Sequence, residues 1–378
     1  MTIIDRYLVR QFVETFLICL VSLTGLYVVF DAFTHLDAFL RYAEKRGSLL
    51  EVMGTYYAGQ AIYFFDLTLG LLTLASAMFT VAMLQRHHEL TALMAAGISK
   101  VRVMKPVVGC VIGVILLGVV NREILIPRFR QELARSPRDL AGDARREFVP
   151  RRDEQTDISI RGQAAYADRQ RIEKPVFRLP LALEGYARQI VAKEAFYRPP
   201  SRELPGGYLV SGVEVPKDLR LQPSLVLQGK PVIITPRDAP DQLGQDQCFV
   251  VSELDFDQLT NSRGWQTFSS TFQLIRGLRN RSLGFGGSVR VTIHTRLLQP
   301  LLDLTLLMLG VPLLLARGNR NVFVAMGLCG LVVTGFTLVV SGFQYLGSIY
   351  AISPALAAWA PLMIFAPVAV EMAFSLRR

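Results

Sequence analysis

The chain has 378 residues, is 51% hydrophobic and carries a formal net charge of +10, with a mean hydropathy of +0.34. Only 19% of its residues are charged, against roughly 25% in soluble domains, and the charge gathers between residues 121 and 296, between two long apolar flanks. This pattern excludes an ordinary soluble domain. It also excludes a nucleic-acid binder, because many basic residues cap apolar runs instead of sharing a face with interleaved aromatics.

A helix needs about 20 apolar residues to cross a bilayer. The first such run, Val9 to Phe33, is longer than a signal h-region and lacks a small-residue cleavage site, so it is expected to stay as an anchor. Glu14 lies near its start, where it can snorkel. The second run lies within Tyr56 to Leu84, with Asp66 at its outer boundary, and the third is Val103 to Val120.

Between the second and third runs, residues 86 to 97 predict a short helix of about 16 Å at about 1.5 Å per residue. Leu90, Leu93, Met94 and Gly97 recur at helical spacing and form one apolar stripe. Glu89 suits the positive end of the helix dipole. Gly97 can take the left-handed position that stops the helix, and Ser99 can cap the next one. Such a helix either lies on lipid or acts as a peg for a partner, with Glu89 pairing with a basic residue there.

Residues 121 to 148 predict helical turns broken by Pro127 and Pro137. From about 150 to 260 the pattern changes to short Val-, Ile-, Phe- and Tyr-rich stretches such as "RQIVAKEAFY", "GYLVSGVEV" and "CFVVSELDF". Short strands separated by Gly, Pro, Asp and Asn predict a sandwich or jelly roll. Its single cysteine, Cys248, rules out a disulfide within the insert. A helix over 271–279, with Ser270 or Thr271 as N-cap, and a "GFGG" break precede the last three apolar runs, Leu297–Ala316, Val322–Phe343 and Ala355–Leu376. Asp303 lies inside the first of these, about 10 Å along the helix from Arg296. A carboxylate there is costly, which makes it a functional candidate.

The predicted architecture is a membrane α-helical bundle, three spans plus three, with a β domain inserted between spans three and four. Residues 1–123 hold spans one to three, 124–290 the insert and 291–378 spans four to six. Basic residues set the orientation. Arg6, Arg10, Arg86, Lys100, Arg102, Lys105, Arg317, Arg320, Arg377 and Arg378 fall on one side, while the short loops opposite hold only Arg41, Lys45 and Arg46. The first side is therefore expected to be cytoplasmic, with both termini there and residues 121–295 outside.

Catalytic signatures fail. "HELTA" at 88–92 begins like a zinc-protease motif, but Ala92 stands where the second ligand belongs, and "QGKP" at 228–231 is not a phosphate-binding loop. His87 and His88 read as a solvated helix start. No cofactor and no metal are expected.

Several blocks carry a resemblance. "ELTALMAAGISKVRVMKP" at 89–106 resembles the coupling-helix segment of the LptF/LptG (YjgP/YjgQ) permeases of the lipopolysaccharide export ABC transporter. "DRYLVRQF" at 5–12, "NREILIP" at 121–127, "HTRLLQPLLDLTLLMLGVPLLLARGNR" at 294–320 and "ISPALAAWAP" at 352–361 resemble other blocks of that family, in the same order. The resemblance implies a cell inner membrane protein whose insert is a periplasmic β-jelly roll. It implies a second LptF/LptG-like permease subunit, with span one of each facing span five of the other. It further implies an LptB-like ATPase dimer on the coupling helices, and LptC/LptA-like periplasmic jelly-roll proteins that receive lipopolysaccharide. Arg86, His88, Glu89, Leu90, Leu93, Met94, Ala96 and Gly97 become the expected ATPase-coupling residues.

The chain departs from the family in the outer half of span one, where "GLYVVFD" at 25–31 has no basic residue, and at Gly70, where the family often has Pro. Arg41, Lys45, Arg46 and Arg296 are the substitutes expected to meet substrate headgroups. The expected function is a non-catalytic permease subunit that extracts lipopolysaccharide using a partner's ATP hydrolysis. The alternatives are the same architecture moving another anionic lipid, or a scaffold for a periplasmic β domain.

Overall fold

The computed structural model describes residues 3–133, 148, 150–166, 169–180, 188–200, 205–227, 230–240, 243–260, 262–279, 286–315 and 322–375. The expected helical lead-in over 134–147 and the basic residues Arg317, Arg320, Arg377 and Arg378 lie outside these residues. The described chain divides into a helical unit, residues 1–36, 53–129 and 286–378, and a β-containing unit, residues 37–52 and 130–285.

The helical unit is a membrane bundle. Among the described residues, six helices are long and apolar enough to cross a bilayer. They belong to α1 (Ile3–Thr34), α3 (Leu49–Arg86), α5 (Lys100–Val120), α11 (Gly287–Leu315), α12 (Val322–Ser348) and α13 (Pro354–Ser375). Between them in the chain come α2 (Leu36–Arg46) and α4 (Glu89–Ala95), then the short turns α6 (Ile126–Arg128) and α7 (Arg130–Leu133), and finally α8 (Phe256–Thr260), α9 (Ser262–Phe268) and α10 (Thr271–Arg279). The helix α2 stands where a loop was expected, and it groups with the β-containing unit.

The bundle core is built from Leu8 and Phe12 of α1, Leu74 and Val81 of α3, Val107 and Val111 of α5, and Leu302 and Leu307 of α11, among others. The interior of α3 also carries polar side chains. Thr73, Ser76 and Thr80 are buried, and each hydroxyl donates to the carbonyl four residues back at 2.6–2.8 Å. Such back-bonding satisfies a hydroxyl where no water is available. Close approach is made by small residues. A Cβ at Gly118 would collide with the Leu69 side chain, and one at Gly310 would meet Leu74 at 2.7 Å.

The third span does not end at Val120. It runs through a π-helical turn, Asn121–Leu125, into α6. Such a widened turn often marks a functional position in a helix. Here Asn121 donates to the Ile62 carbonyl at 3.0 Å while its neighbour Arg122 reaches Asp66, so two consecutive side chains both face α3.

Among the described residues the β-containing unit holds ten antiparallel strands. They are β1 (Arg151–Arg152), β2 (Ser159–Arg161), β3 (Ala164–Tyr166), β4 (Arg171–Glu173), β5 (Val176–Arg178), β6 (Gln189–Arg198), β7 (Gly207–Val215), β8 (Leu225–Leu227), β9 (Lys230–Ile234) and β10 (Gln247–Val251). The order is β1-β2-β5-β6-β7-β10-β9-β8, with β3 paired to β4 and β4 to β6. β5 and β4 lie end to end along one edge of β6, separated by Lys174, whose φ is 45°, and Pro175. Inward-facing Ile160, Ile172, Phe177, Ile190 and Tyr208 share one core and are all fully buried. The Tyr208 hydroxyl donates to the Leu254 carbonyl at 2.9 Å, which settles its polar end in that core.

The helix after the sheet begins with a reciprocal cap. Ser270 Oγ accepts from the Gln273 amide, and Gln273 Oε1 accepts from the Ser270 amide, both at 3.1 Å. This capping box satisfies two amides that the first turn leaves open.

Candidate functional site

The segment joining α3 to α5 is a built structure. α3 ends at Arg86, and His88 takes a left-handed backbone at φ 58°. A helix cannot continue through that conformation, so α4 starts at Glu89 and not at residue 86 as expected. Arg86 belongs to the preceding helix and His88 to the turn; both are exposed.

The other end of α4 closes as its sequence predicts. Gly97 has φ 80°, its amide donates to Met94 O, and the Ile98 amide donates to Leu93 O, each at 3.0 Å. This pair of bonds is the Schellman arrangement, which needs a residue free of Cβ strain at the left-handed position. Ser99 Oγ then accepts from the Arg102 amide at 3.3 Å and caps α5.

The two faces of α4 differ. Leu90 is buried and Leu93 half-buried, both against the bundle's own core. Thr91, Ala92, Met94, Ala95, Ala96 and Gly97 are exposed. The expected stripe of Leu90, Leu93, Met94 and Gly97 is therefore split: its leucines hold the helix down, while Met94, Ala96 and Gly97 remain outside.

Glu89 does not stand alone. The Tyr7 hydroxyl donates to its carboxylate, 3.1 Å from each oxygen. Beside this pair Arg102 Nη2 meets Asp5 Oδ2 at 3.2 Å, and Lys100 Nζ donates to the Leu315 carbonyl at 3.4 Å. The sequence signals α4 by its periodicity, but nothing local announces Tyr7 and Asp5 as its neighbours.

A second polar group joins the middle of α3 to the π-helical turn after α5 and to α11. Arg122 Nε lies 3.0 and 3.1 Å from the two Asp66 oxygens. Arg296 is half-buried and within electrostatic range of Arg122, Glu123 and Asp66. Further along α11, Gln299 Nε2 donates to Asp303 Oδ1 at 2.9 Å. Gly70 faces that carboxylate, and a Cβ there would stand 2.9 Å from Oδ1. The glycine thus makes room for a half-buried acid.

The ends of α1 and α3 are joined by Tyr57, which donates to Asp31 Oδ2 at 2.8 Å, with His35 Nδ1 at 3.3 Å from Asp31 Oδ1. Tyr27 stacks on Phe64 next to this group. Arg41 lies on α2, its Nε donating to the Asp37 carbonyl at 3.2 Å. The side chains of Lys45 and Arg46 lie outside the described ones. Arg41 belongs to the β-containing unit and Arg296 to the helical one.

Within the β-containing unit, a cleft of about 1180 Å³ is lined by Tyr197, Trp265, Asp255, Arg130, Arg276 and Arg279, among others. Burial and a 2.6 Å hydrogen bond to Asp255 hold the Tyr197 phenol well above its ordinary pKa, so it stays a donor. Arg130 pairs with Asp257 at 3.1 Å. Among the described residues no group of three or more His, Cys, Asp or Glu is placed to hold a metal ion.

The family model for the lipopolysaccharide export system permease LptF/LptG matches residues 6–174 and 233–375. The chain belongs to the LptF/LptG family. The match takes in α1, α4, the Asp66–Arg122 pair and all of the last three spans. It leaves out residues 175–232, the stretch that carries β5 to β8 and the start of β9. No curated protein matches the chain.

Proposed function

We propose that this chain is a non-catalytic permease subunit of an ABC-type exporter. It extracts lipopolysaccharide from the inner membrane and passes it to a periplasmic β-jelly-roll bridge of LptC/LptA-like proteins. A second LptF/LptG-like subunit completes the cavity, and an LptB-like ATPase dimer supplies the energy. The end of the bundle bearing α4 faces the cytoplasm, and the β domain faces the periplasm.

The observation that carries this reading is the split character of α4. A helix meant to lie on lipid would turn its apolar residues outward. Here the leucines turn into the bundle, and the outer face is small, with Met94 on it and Glu89 at its rim. Small residues allow close approach of a groove, and a carboxylate at the rim supplies a charge-assisted contact to a basic partner. The pairing of two permeases is supported by α1 and α12, the first and fifth spans. The most apolar stretch of each is only 11% buried, against 61% for α3.

The test is co-purification. The wild-type chain, expressed with the second permease and the ATPase of its own exporter, should hold all three together and couple ATP hydrolysis to lipopolysaccharide release. Glu89→Arg should abolish the coupled hydrolysis. Full coupled activity in that variant would defeat the docking role of α4.

A further inference from the structure

We propose that Asp5 and Tyr7 form a clasp that fastens α1 to the coupling segment, so that movement of α4 is delivered to α1 directly. The proposal rests on the reading of α4 as the ATPase-docking helix.

The chain itself joins α4 only to α3 and α5. The near end of α1 has no direct covalent link to it, because the chain leaves α1 at the far end and reaches α4 only through α2 and the length of α3. Side packing of α1 on α5 would otherwise be its main tie to the segment that a partner moves.

The two polar contacts supply the missing link, and they grip the segment at both of its ends. Tyr7 holds Glu89, the first residue of α4, at 3.1 Å. Asp5 holds Arg102, at 3.2 Å, in the first turn of α5. That turn is itself fixed by the Ser99 cap on the Arg102 amide. Leu8 and Phe12, next along α1, are fully buried, so the anchoring continues into the core.

Beyond Phe16 the character of α1 changes. Leu17, Ile18, Val21, Leu26 and Phe30 are between 51% and 69% exposed. Cys19, Leu20 and Leu23 on the other side of this stretch pack against the core, and Asp31 near the far end is held by Tyr57, so a displacement of the clasped end is carried along α1 as a rigid helix with one exposed apolar face. Asp5 and Tyr7 are thus positioning residues for transport. They contact neither nucleotide nor lipid in this role.

Testing uses the full exporter reconstituted in proteoliposomes with lipopolysaccharide. A Tyr7→Phe, Asp5→Asn double variant removes one hydroxyl and one charge. It should assemble normally and hydrolyse ATP within twofold of wild type, while lipid release falls at least fivefold. Exchanging the ion pair, Asp5→Arg with Arg102→Asp, should restore release above that of either single exchange. Unchanged release in the double variant, or an exchanged pair no better than its singles, overturns the clasp. So does failure of the double variant to assemble, which would assign these residues to structure alone. Loss of docking sensitivity at Glu89, with Glu89→Arg fully active, would overturn the coupling reading instead and take the clasp with it.

Discussion

Arg122 and Asp66 meet across two membrane-spanning segments, with the guanidinium Nε 3.0 and 3.1 Å from the two carboxylate oxygens and both side chains largely buried. Removing one partner of such a pair strands the other charge where water is scarce, at a cost of about 3–5 kcal/mol. Arg122→Ala and Asp66→Ala should each destabilise the purified protein by about that much in detergent unfolding. The double variant should cost less than the two added together, by at least about 1 kcal/mol. Additive losses would mean that Arg122 is held chiefly by its other neighbours.

Gly97 gives a second prediction. Its φ of 80° is a backbone conformation that other residues adopt at a cost, yet nothing lies within 4 Å of where a Cβ would stand. Gly97→Ala should therefore lose about 1 kcal/mol through backbone strain alone. Gly97→Asn should lose less, because Asn tolerates the left-handed region. Thermal unfolding of the two variants checks the ranking, and equal losses would point to a packing effect instead.

These two sites also mark what could be read from the sequence. Gly97 and Ser99 were legible because a cap is made by residues within one turn of each other. The spans were legible because length and apolarity decide them without reference to partners. The start of α4 was not, since His88 enters the left-handed region with no glycine or asparagine to announce it. The helix α2 was missed because its short pattern, crowded with Arg41, Glu44, Lys45 and Arg46, reads as a solvated loop. Periodicity found Leu90, Leu93 and Met94 but not which of them faced the chain's own core. Asp66 with Arg122, and Tyr7 with Glu89, are brought together only by packing between segments far apart in the chain, and no local signal pairs them.

Cys248 carries a pH prediction. It is fully buried in β10, and burial pushes its thiol up from the ordinary 9.0 to about 12. The folded state thus disfavours the thiolate, and the thiolate is the reactive form. In a chain with Cys19, Cys110 and Cys329 replaced by Ala, maleimide should label Cys248 slowly at pH 8 and rapidly once the β domain unfolds. The sign for stability follows from the raised value. This contribution is fully present below pH 9 and is lost as pH rises from about 9 to about 12. Fast labelling of the folded chain at pH 8 would contradict the buried placement.

The two faces of α4 call for opposite outcomes from neighbouring substitutions. Leu90 is 7% exposed and packs in the bundle core, whereas Met94 is 44% exposed on the other side. Leu90→Ala should destabilise the isolated permease by about 2–5 kcal/mol, the range for a leucine cut back in a core. Met94→Asp should leave the melting of the isolated permease within about 0.5 kcal/mol of wild type, as for a surface change. Binding to the ATPase should respond in the reverse order. A charged carboxylate on the small outer face would have to be buried without a partner, so Met94→Asp should weaken co-purification at least tenfold, while Leu90→Ala retains it at temperatures where it stays folded. Measuring melting and ATPase retention on the same two preparations separates a helix that merely closes the bundle from one that offers a surface to a partner. If both substitutions moved only stability, the outer face of α4 would have no docking role.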